Sequence, residues 1–157
     1  MAERALIIIK PDGVQRHLVG EIIGRFEKKG LKLVAAKFLQ LSEKQAGQLY
    51  AVHRGKAFFK QLVKFLSSAP ILVTVWEGEG AIEMTRKIIG ATFGFYAEPG
   101  SIRGDLSCSE RFNLVHGSDS PESAQQEIDI FFKPNEIINY TLSDAHWLCG
   151  KTISQKK

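Results

Sequence analysis

One histidine occupies a position that favours chemistry. His116 ends the predicted strand 112–116, is followed by Gly117, and shortly precedes the helix start Ser120-Pro121-Glu122. Unpaired N–H groups at a helix N-terminus favour an anion such as phosphate. Gly117 has no Cβ, which lets a ligand approach the ring, and neutral imidazole is a competent nucleophile. The pattern indicates a nucleophile toward phosphate; a hydrogen-bonded structural histidine is the alternative.

A carboxylate follows this histidine at a useful distance along the chain. Glu127 falls in the predicted helix after His116, about two to three turns away at about 3.6 residues per turn. From there it can orient the ring nitrogen that does not react. The alternative is an ordinary solvated carboxylate. Glu122 and Asp129 lie on the same predicted helix, and most such groups are exposed to water.

Basic residues also stand near predicted strand ends and loops. Lys10 ends the first predicted strand, Arg103 lies in a long loop, and Arg86 precedes that loop. Arginine recognises phosphate with two parallel hydrogen bonds and lysine supplies a compact cation. Together they can hold a polyphosphate, although ordinary surface charge is the alternative for each.

Weaker signals add polar and stacking groups. Hydroxyl, imidazole and aromatic contacts can come from Thr92, Tyr50, His53 and Phe58, which are equally compatible with helix caps or core. The sequence contains no G-x-x-x-x-G-K-[ST], and its "EGEG" lacks the third glycine of a dinucleotide loop. Phosphate would therefore be bound by side chains, and the mechanism would be covalent.

Hydrophobic periodicity and turn residues define the elements that must position these groups. Strands are predicted at 5–9, 31–41, 70–78 and 112–116, and helices at 19–29, 43–67, 81–89 and 121–132. "SEKQ" at 42–45 has the form of a capping box, Pro11-Asp12-Gly13 reads as a turn, and 91–109 reads as irregular. This order predicts an α+β fold, a ferredoxin-like αβ sandwich with an antiparallel four-stranded sheet covered by helices.

Composition sets the outer limits. The 157 residues predict a single domain, 1–157, with 151–157 as a polar C-terminal tail. A net charge of +4 is compatible with phosphate ligands but too small to demand nucleic acid. Cys108 and Cys149 suggest neither a disulfide framework nor a zinc site. No secretory or membrane-spanning segment is evident, so we expect a cytoplasmic protein.

Taken together, these residues match a known pattern. "NLVHGSD" at 113–119 resembles the N-x-x-H-G-S-D signature of nucleoside diphosphate kinases. The resemblance extends through "IIIKPDGVQRHLVGEIIGRFEKKGLKLV", "EPGSIRGD" and "SPESAQQEIDIFFKP", and leaves out only the last dozen or so residues. The family fold is the ferredoxin-like αβ sandwich, in agreement with the element order.

The resemblance implies an activity. The γ-phosphate of ATP or another nucleoside triphosphate would pass to a nucleoside diphosphate in a ping-pong cycle through a phosphohistidine at His116, with broad base specificity. Mg²⁺ would arrive bound to the nucleotide phosphates rather than in a protein site. A homohexamer is expected, with a tetramer as the alternative, and neither a membrane nor a specific nucleic acid is expected as a partner.

The resemblance also implies residue roles. Its catalytic set is His116, Lys10, Glu127, Tyr50, Asn113 and Ser118. Its nucleotide-binding set is Lys10, His53, Phe58, Arg86, Thr92, Arg103 and Asn113, with no metal ligand. Glu127 would orient His116 with support from Ser118, and Phe58 would stack on the base. Two departures from the family pattern, Thr92-Phe93-Gly94 and Glu110, predict a differently packed loop and a looser or differently charged clamp opposite Phe58.

Two other classes of protein share this architecture. "ATFGFYAE" contains an F-G-F fragment of the kind found in an RNA-binding RNP1 motif, although the rest of that motif is absent. A regulatory ligand-binding module would keep the basic pocket without requiring His116.

Overall fold

A computed structural model describes residues 2–148 of the chain; the predicted tail at 151–157 lies outside the described residues. The strands are β1 (Glu3–Ile9), β2 (Lys32–Leu39), β3 (Ile71–Gly78) and β4 (Val115–Gly117). The helices are α1 (Pro11–Gln15), α2 (Val19–Lys28), α3 (Glu43–Leu49), α4 (Phe59–Ser67), α5 (Ala81–Ile89), α6 (Ile102–Leu106), α7 (Pro121–Phe131) and α8 (Ala145–Leu148). Three short 3₁₀ turns lie at Ala51–His53, Gly94–Tyr96 and Pro134–Glu136.

The four strands form one antiparallel sheet in the order β2-β3-β1-β4. β1 lies inside the sheet and is buried on both faces: Leu6 and Ile8 pack in one core cluster, and Ile7 and Ile9 in the other. Such alternation follows from the two-residue period of a strand. The ferredoxin-like α+β prediction is confirmed.

The sheet register places the candidate nucleophile beside the central strand. β4 pairs with β1 so that His116 lies opposite Ile8. Lys10 follows β1 directly and its backbone N–H donates to the carbonyl of Leu114 at 2.8 Å. Residues 106 positions apart in the chain are thereby brought to one end of the sheet.

Helix boundaries follow the local chemistry. Ser42 forms the predicted capping box with Gln45 at the start of α3, and Gly30 after α2 has a φ of +89°, a conformation that glycine adopts without strain. The predicted helical stretch 43–67 is divided into α3 and α4 by the 3₁₀ turn Ala51–His53.

Three predictions need correction. The fourth strand covers Val115–Gly117 rather than 112–116, because Leu114 has a left-handed φ of +67° that a strand does not accommodate. Residues 11–13 belong to the short helix α1, in which proline occupies the favoured first position. The stretch 91–109 contains α6, whose Ser101 side chain accepts the N–H of Gly104.

Within residues 2–148, no helix has the length and apolarity to cross a membrane.

Candidate active site

The His116 imidazole is held by a carboxylate from the next helix. Its Nε2 lies 2.8 Å from Oε1 of Glu127, and 18% of the histidine side chain is exposed. The other carboxylate oxygen of Glu127 accepts a hydrogen bond from Ser118 Oγ at 2.5 Å. Ser118 Oγ in turn accepts the N–H of Leu6 in β1 at 3.1 Å. The ring is therefore tied to the central strand.

This arrangement selects one nitrogen of the ring. A carboxylate accepts hydrogen bonds only, so the ring proton belongs on Nε2, and the lone pair of the neutral ring remains on Nδ1. Nδ1 is then the nitrogen available for a reaction with an electrophile. The carboxylate also favours positive charge on the ring when Nδ1 forms a bond.

Helix α7 positions Glu127 by capping at one end and packing along its length. Ser120 and Ser123 form a reciprocal capping box, and Pro121 occupies the first helical position. The apolar Ala124, Ile128 and Phe131 are buried. Because three of its residues are fixed in the core, the helix holds Glu127 on the side that faces His116.

Lys10 is a buried cation at the end of β1. Its Nζ donates to Oδ1 of Asn113 at 2.7 Å, and only 6% of the residue is exposed. Burial and, after it, the like charge of Arg103 lower the pKa of Lys10 to about 8, although the opposite charge of Asp12 limits the shift. The lysine is thus an ammonium group with few compensating charges, which suits it to an anionic ligand.

Arg103 is a second buried cation, fixed by backbone carbonyls. Its Nε donates to Asn113 and its two terminal nitrogens donate to Gly90 and Val115, at 3.1, 3.2 and 2.7 Å. Burial and then the like charge of Arg86 lower the pKa of Arg103 to about 10. A guanidinium group has five N–H donors, so two remain for a phosphate. Arg86 itself is exposed on α5.

Aromatic rings extend from the histidine toward the surface. Tyr50 is buried and meets the His116 ring edge-on at 5.8 Å between centroids. The ring centroid of His53 lies 6.0 Å from that of Tyr50 and 5.4 Å from that of Phe58. Phe58 is 49% exposed. Burial raises the pKa of the Tyr50 phenol above its usual range. Burial, followed by Lys56 and His116, lowers the pKa of His53.

Asn113 connects the lysine to the loop after α5. Its Oδ1 accepts from Lys10 and its Nδ2 donates to the carbonyl of Thr92 at 2.9 Å. Thr92 itself is exposed. Arg103 likewise donates a hydrogen bond to the carbonyl of Gly90, thirteen positions earlier in the chain. The structure therefore gathers the sequence-predicted residues into one neighbourhood, in which Arg86 and Phe58 form the exposed rim.

Gly117 serves a purpose other than the one expected from sequence. A Cβ at this position would lie 2.6 Å from Cδ1 of Ile89 and 3.1 Å from Cδ1 of Ile7. The space beside Gly117 is occupied by core side chains from α5 and β1, so the glycine permits close packing rather than ligand approach.

Asp12 is a residue of this site that sequence reasoning missed. Its Oδ2 accepts the N–H of Leu114 at 3.0 Å, and its charge acts on Lys10, Tyr50 and Arg103. The signal was available, since an acidic residue two positions after a strand-end lysine lies within reach of it. The turn chemistry of Pro11-Asp12-Gly13 obscured this role.

Residues 2–148 hold no group of three or more His, Cys, Asp or Glu side chains arranged to bind a metal ion. The F-G-F fragment at 93–95 lies in a loop and the 3₁₀ turn Gly94–Tyr96, whereas an RNP1 motif requires a central strand. This placement argues against the RNA-binding alternative.

A ferredoxin-like sheet that carries an oriented imidazole beside two buried cations defines a protein that binds and transfers an anionic group. The model of the nucleoside diphosphate kinase family matches residues 3–137. The chain belongs to this family. It is therefore a phosphotransferase acting between nucleoside triphosphates and diphosphates.

Individual relatives agree with the family assignment. A nucleoside diphosphate kinase of Prochlorococcus marinus is 54% identical over 145 residues, covering 92% of this chain and 95% of that protein. The structure of a halophilic nucleoside diphosphate kinase from Halobacterium salinarum in complex with CDP has a TM-score of 0.91 at 41% identity, with 94% and 99% of the two chains covered. A nucleoside diphosphate kinase family protein from Babesia bovis gives 0.90 at 43% identity, covering 93% and 99%.

Proposed function

We propose that Nδ1 of His116 carries the phosphoryl group between the two nucleotides. Its lone pair attacks the γ-phosphorus of the triphosphate, the bond to the bridging oxygen breaks, and the diphosphate leaves with those electrons. In the second half-reaction a terminal oxygen of another diphosphate attacks the same phosphorus. The P–N bond then breaks and its electrons return to Nδ1. The observation that carries this proposal is the 2.8 Å contact between Nε2 and Glu127.

Glu127 and Ser118 keep the ring ready for both half-reactions. The carboxylate accepts a hydrogen bond from Nε2–H throughout, so the proton stays on Nε2 and no proton must enter or leave the ring. It also stabilises the positive charge that the imidazole gains when Nδ1 binds phosphorus. Ser118 fixes the second carboxylate oxygen and so limits rotation of the glutamate. This fixed geometry lowers the cost of reaching the transition state.

The cations around the ring bind the phosphate chain. Lys10 and Arg103 supply buried positive charge, and Arg86 adds charge at the rim. Phosphoryl transfer depends on positioning and on stabilising charge spread over the equatorial oxygens. Thr92 contributes to phosphate binding, Asn113 holds Lys10 and contacts the sugar, and Tyr50 and His53 close the side of the pocket.

Phe58 supplies the stacking surface for the base. Half of this side chain is exposed beside His53, and a flat apolar ring accepts any base because every base has a π face. We therefore propose broad base specificity. Glu110 is exposed in the bend that follows Cys108, and a looser clamp opposite Phe58 stays a prediction.

Magnesium fits this chemistry as a companion of the nucleotide. The described donors at the site are largely cationic groups, amides and hydroxyls, which suit phosphate rather than a bare divalent ion. Mg²⁺ keeps several waters and binds through phosphate oxygens, so when bound it offsets phosphate charge. We propose that it is held by the nucleotide, with no protein ligand.

We further propose a single domain over 1–157 that works in the cytoplasm as a homo-oligomer, a hexamer or else a tetramer. The resemblance to the family supports the assembly. β2 is an edge strand of the sheet, and Phe38 on it is 64% exposed. Exposed apolar side chains of this size are typical of association surfaces. Light scattering in solution would give the subunit number.

A His116→Ala variant tests the assigned nucleophile. We expect turnover of Mg-ATP with GDP into GTP to fall to background, because the phosphoryl carrier is gone, while binding of Mg-ADP persists. His146→Ala is the matched control, since His146 is exposed on α8 and should retain full turnover. Turnover by the His116→Ala protein would contradict the proposal, and a wild type that binds Mg-ADP but never forms GTP would support the binding-module alternative for this pocket.

A further inference from the structure

We propose that Asp12 is a positioning residue of this phosphotransferase: its carboxylate fixes the chain at Leu114 and keeps the Lys10 ammonium charged for nucleotide phosphate. The inference rests on the proposed function and adds to it a residue outside the catalytic and nucleotide-binding sets.

The first support is the backbone at Leu114. This leucine has a φ of +67°, which is uncommon for a residue with a branched side chain. Its N–H donates to Oδ2 of Asp12 at 3.0 Å. Leu114 separates Asn113, the partner of Lys10, from Val115 and His116. By holding Leu114 in this conformation, Asp12 fixes the relative placement of the lysine-binding amide and the nucleophile.

The second support is the other carboxylate oxygen. Oδ1 of Asp12 is buried and has no hydrogen-bond partner among the residues that the structure describes. Buried oxygen atoms without a donor are rare and need a physical reason. Here the reason is the charge of the carboxylate, since Asp12 acts electrostatically on Lys10, Arg103 and Tyr50.

The direction of the effect follows from the charges around Lys10. Arg103 of α6 faces it with like charge, Asp12 of α1 faces it with opposite charge, and Asn113 is a neutral partner. Burial and Arg103 lower the pKa of Lys10 and Asp12 raises it, with a net value of about 8. Removal of the Asp12 charge therefore lowers the pKa of Lys10 below about 8. A larger fraction of the lysine is then neutral at physiological pH and binds phosphate poorly.

The test is an Asp12→Asn variant, which keeps an oxygen for the N–H of Leu114 and removes the charge. Equilibrium dialysis with labelled Mg-ADP across pH 6 to 9 measures binding without phosphoryl transfer. In the wild type we expect binding to weaken as pH rises through about 8. In the variant the same weakening should occur about one pH unit lower, the size of shift caused by a nearby opposite charge.

A direct readout is the titration of Lys10 by NMR of ¹³Cε-labelled lysine, with the resonance assigned through Lys10→Met. Its midpoint should fall in the Asp12→Asn protein and stay unchanged in Asp129→Asn. The latter removes an exposed carboxylate on α7 whose described partner is Gln125, so it also controls for a general loss of negative charge.

Three results would overturn the inference. They are an unchanged Lys10 midpoint, a loss of ADP binding that is uniform across pH, and an Asp12→Asn protein that does not fold, since the carboxylate would then serve only the fold. Failure of the proposed function looks different. A wild type that binds ADP with the expected pH dependence but never carries phosphate on His116 refutes the nucleophile and leaves the role of Asp12 standing.

Discussion

At the scale of single residues, the site combines an oriented imidazole with buried cations that are costly to keep. Glu127 holds His116 through its Nε2. Lys10 has a pKa lowered to about 8 by burial, so the protein holds an ammonium group where the surroundings favour the free amine. Such groups recur at sites whose ligand supplies the missing charge. In the proposed function, the polyphosphate of the nucleotide supplies that charge.

The role of Glu127 gives a prediction at this scale. Glu127→Gln keeps an oxygen for Nε2–H but loses the negative charge that stabilises the phosphorylated ring. We expect kcat to fall about 10- to 100-fold, by analogy with the loss found when the partner of a metal-bound histidine is removed, with little change in KM. Steady-state kinetics with Mg-ATP and GDP measure both constants.

Glu122→Gln is the matched control for this variant. Glu122 is exposed in the first turn of the same helix, so its loss should leave kcat within about twofold, as expected for surface substitutions. Equal losses in the two variants would show that Glu127 acts through helix charge rather than on the ring.

At the scale of elements, periodic patterns predicted most of what positions the site. The apolar run before Lys10 became β1, and Ser120-Pro121 opened α7 with a capping box. These elements depend on residues close together in the chain, such as a run of apolar side chains or a serine cap followed by proline, and such patterns are visible in the sequence. The fourth strand was predicted too early, at 112–116. Its residue types are typical of a strand, and they do not show that the backbone departs from strand geometry at Leu114.

The elements that sequence could not locate depend on contacts between distant residues. Leu114 has a left-handed φ, and its N–H donates to Asp12, 102 positions away in the chain. Asn113 lies outside the sheet, and its side chain binds Lys10 and the carbonyl of Thr92. No local propensity encodes either contact. By contrast, α6 carried a visible signal in the Ser101 cap, which the glycines around it obscured.

The capping boxes give a prediction at the scale of elements. Ser120→Ala removes the acceptor for the N–H of Ser123 at the start of α7, and should lower the free energy of unfolding by about 1 kcal/mol. Ser42→Ala should cost a similar amount at α3, because the same box is present there. Urea denaturation monitored by circular dichroism measures both.

The double variant tests whether the two caps act independently. Effects of separate sites add within about 0.5 kcal/mol, so the Ser42→Ala/Ser120→Ala protein should lose about 2 kcal/mol. A change of a few tenths of a kcal/mol in either single variant would show that the box does not stabilise its helix.

At the scale of the whole molecule, the antiparallel order β2-β3-β1-β4 brings three separate parts of the chain together. Lys10 leaves β1, His116 lies in β4 opposite Ile8, and Arg103 of α6 bonds to carbonyls on either side of Leu114. Sequence alone predicted the fold because element order restricts the topology. It predicted which side chains meet mainly through the resemblance of motifs, since spacing gives no distances across a sheet.

The measurement that tests the central claim most directly is phosphate labelling of His116. The protein is mixed with magnesium and ATP carrying a radiolabelled γ-phosphate, quenched in alkali, and mapped by mass spectrometry. We predict one acid-labile label on the peptide containing His116, which transfers fully to CDP when CDP is added. A wild-type protein that turns over nucleotides with no label on His116, or with a label that CDP does not remove, would contradict the account.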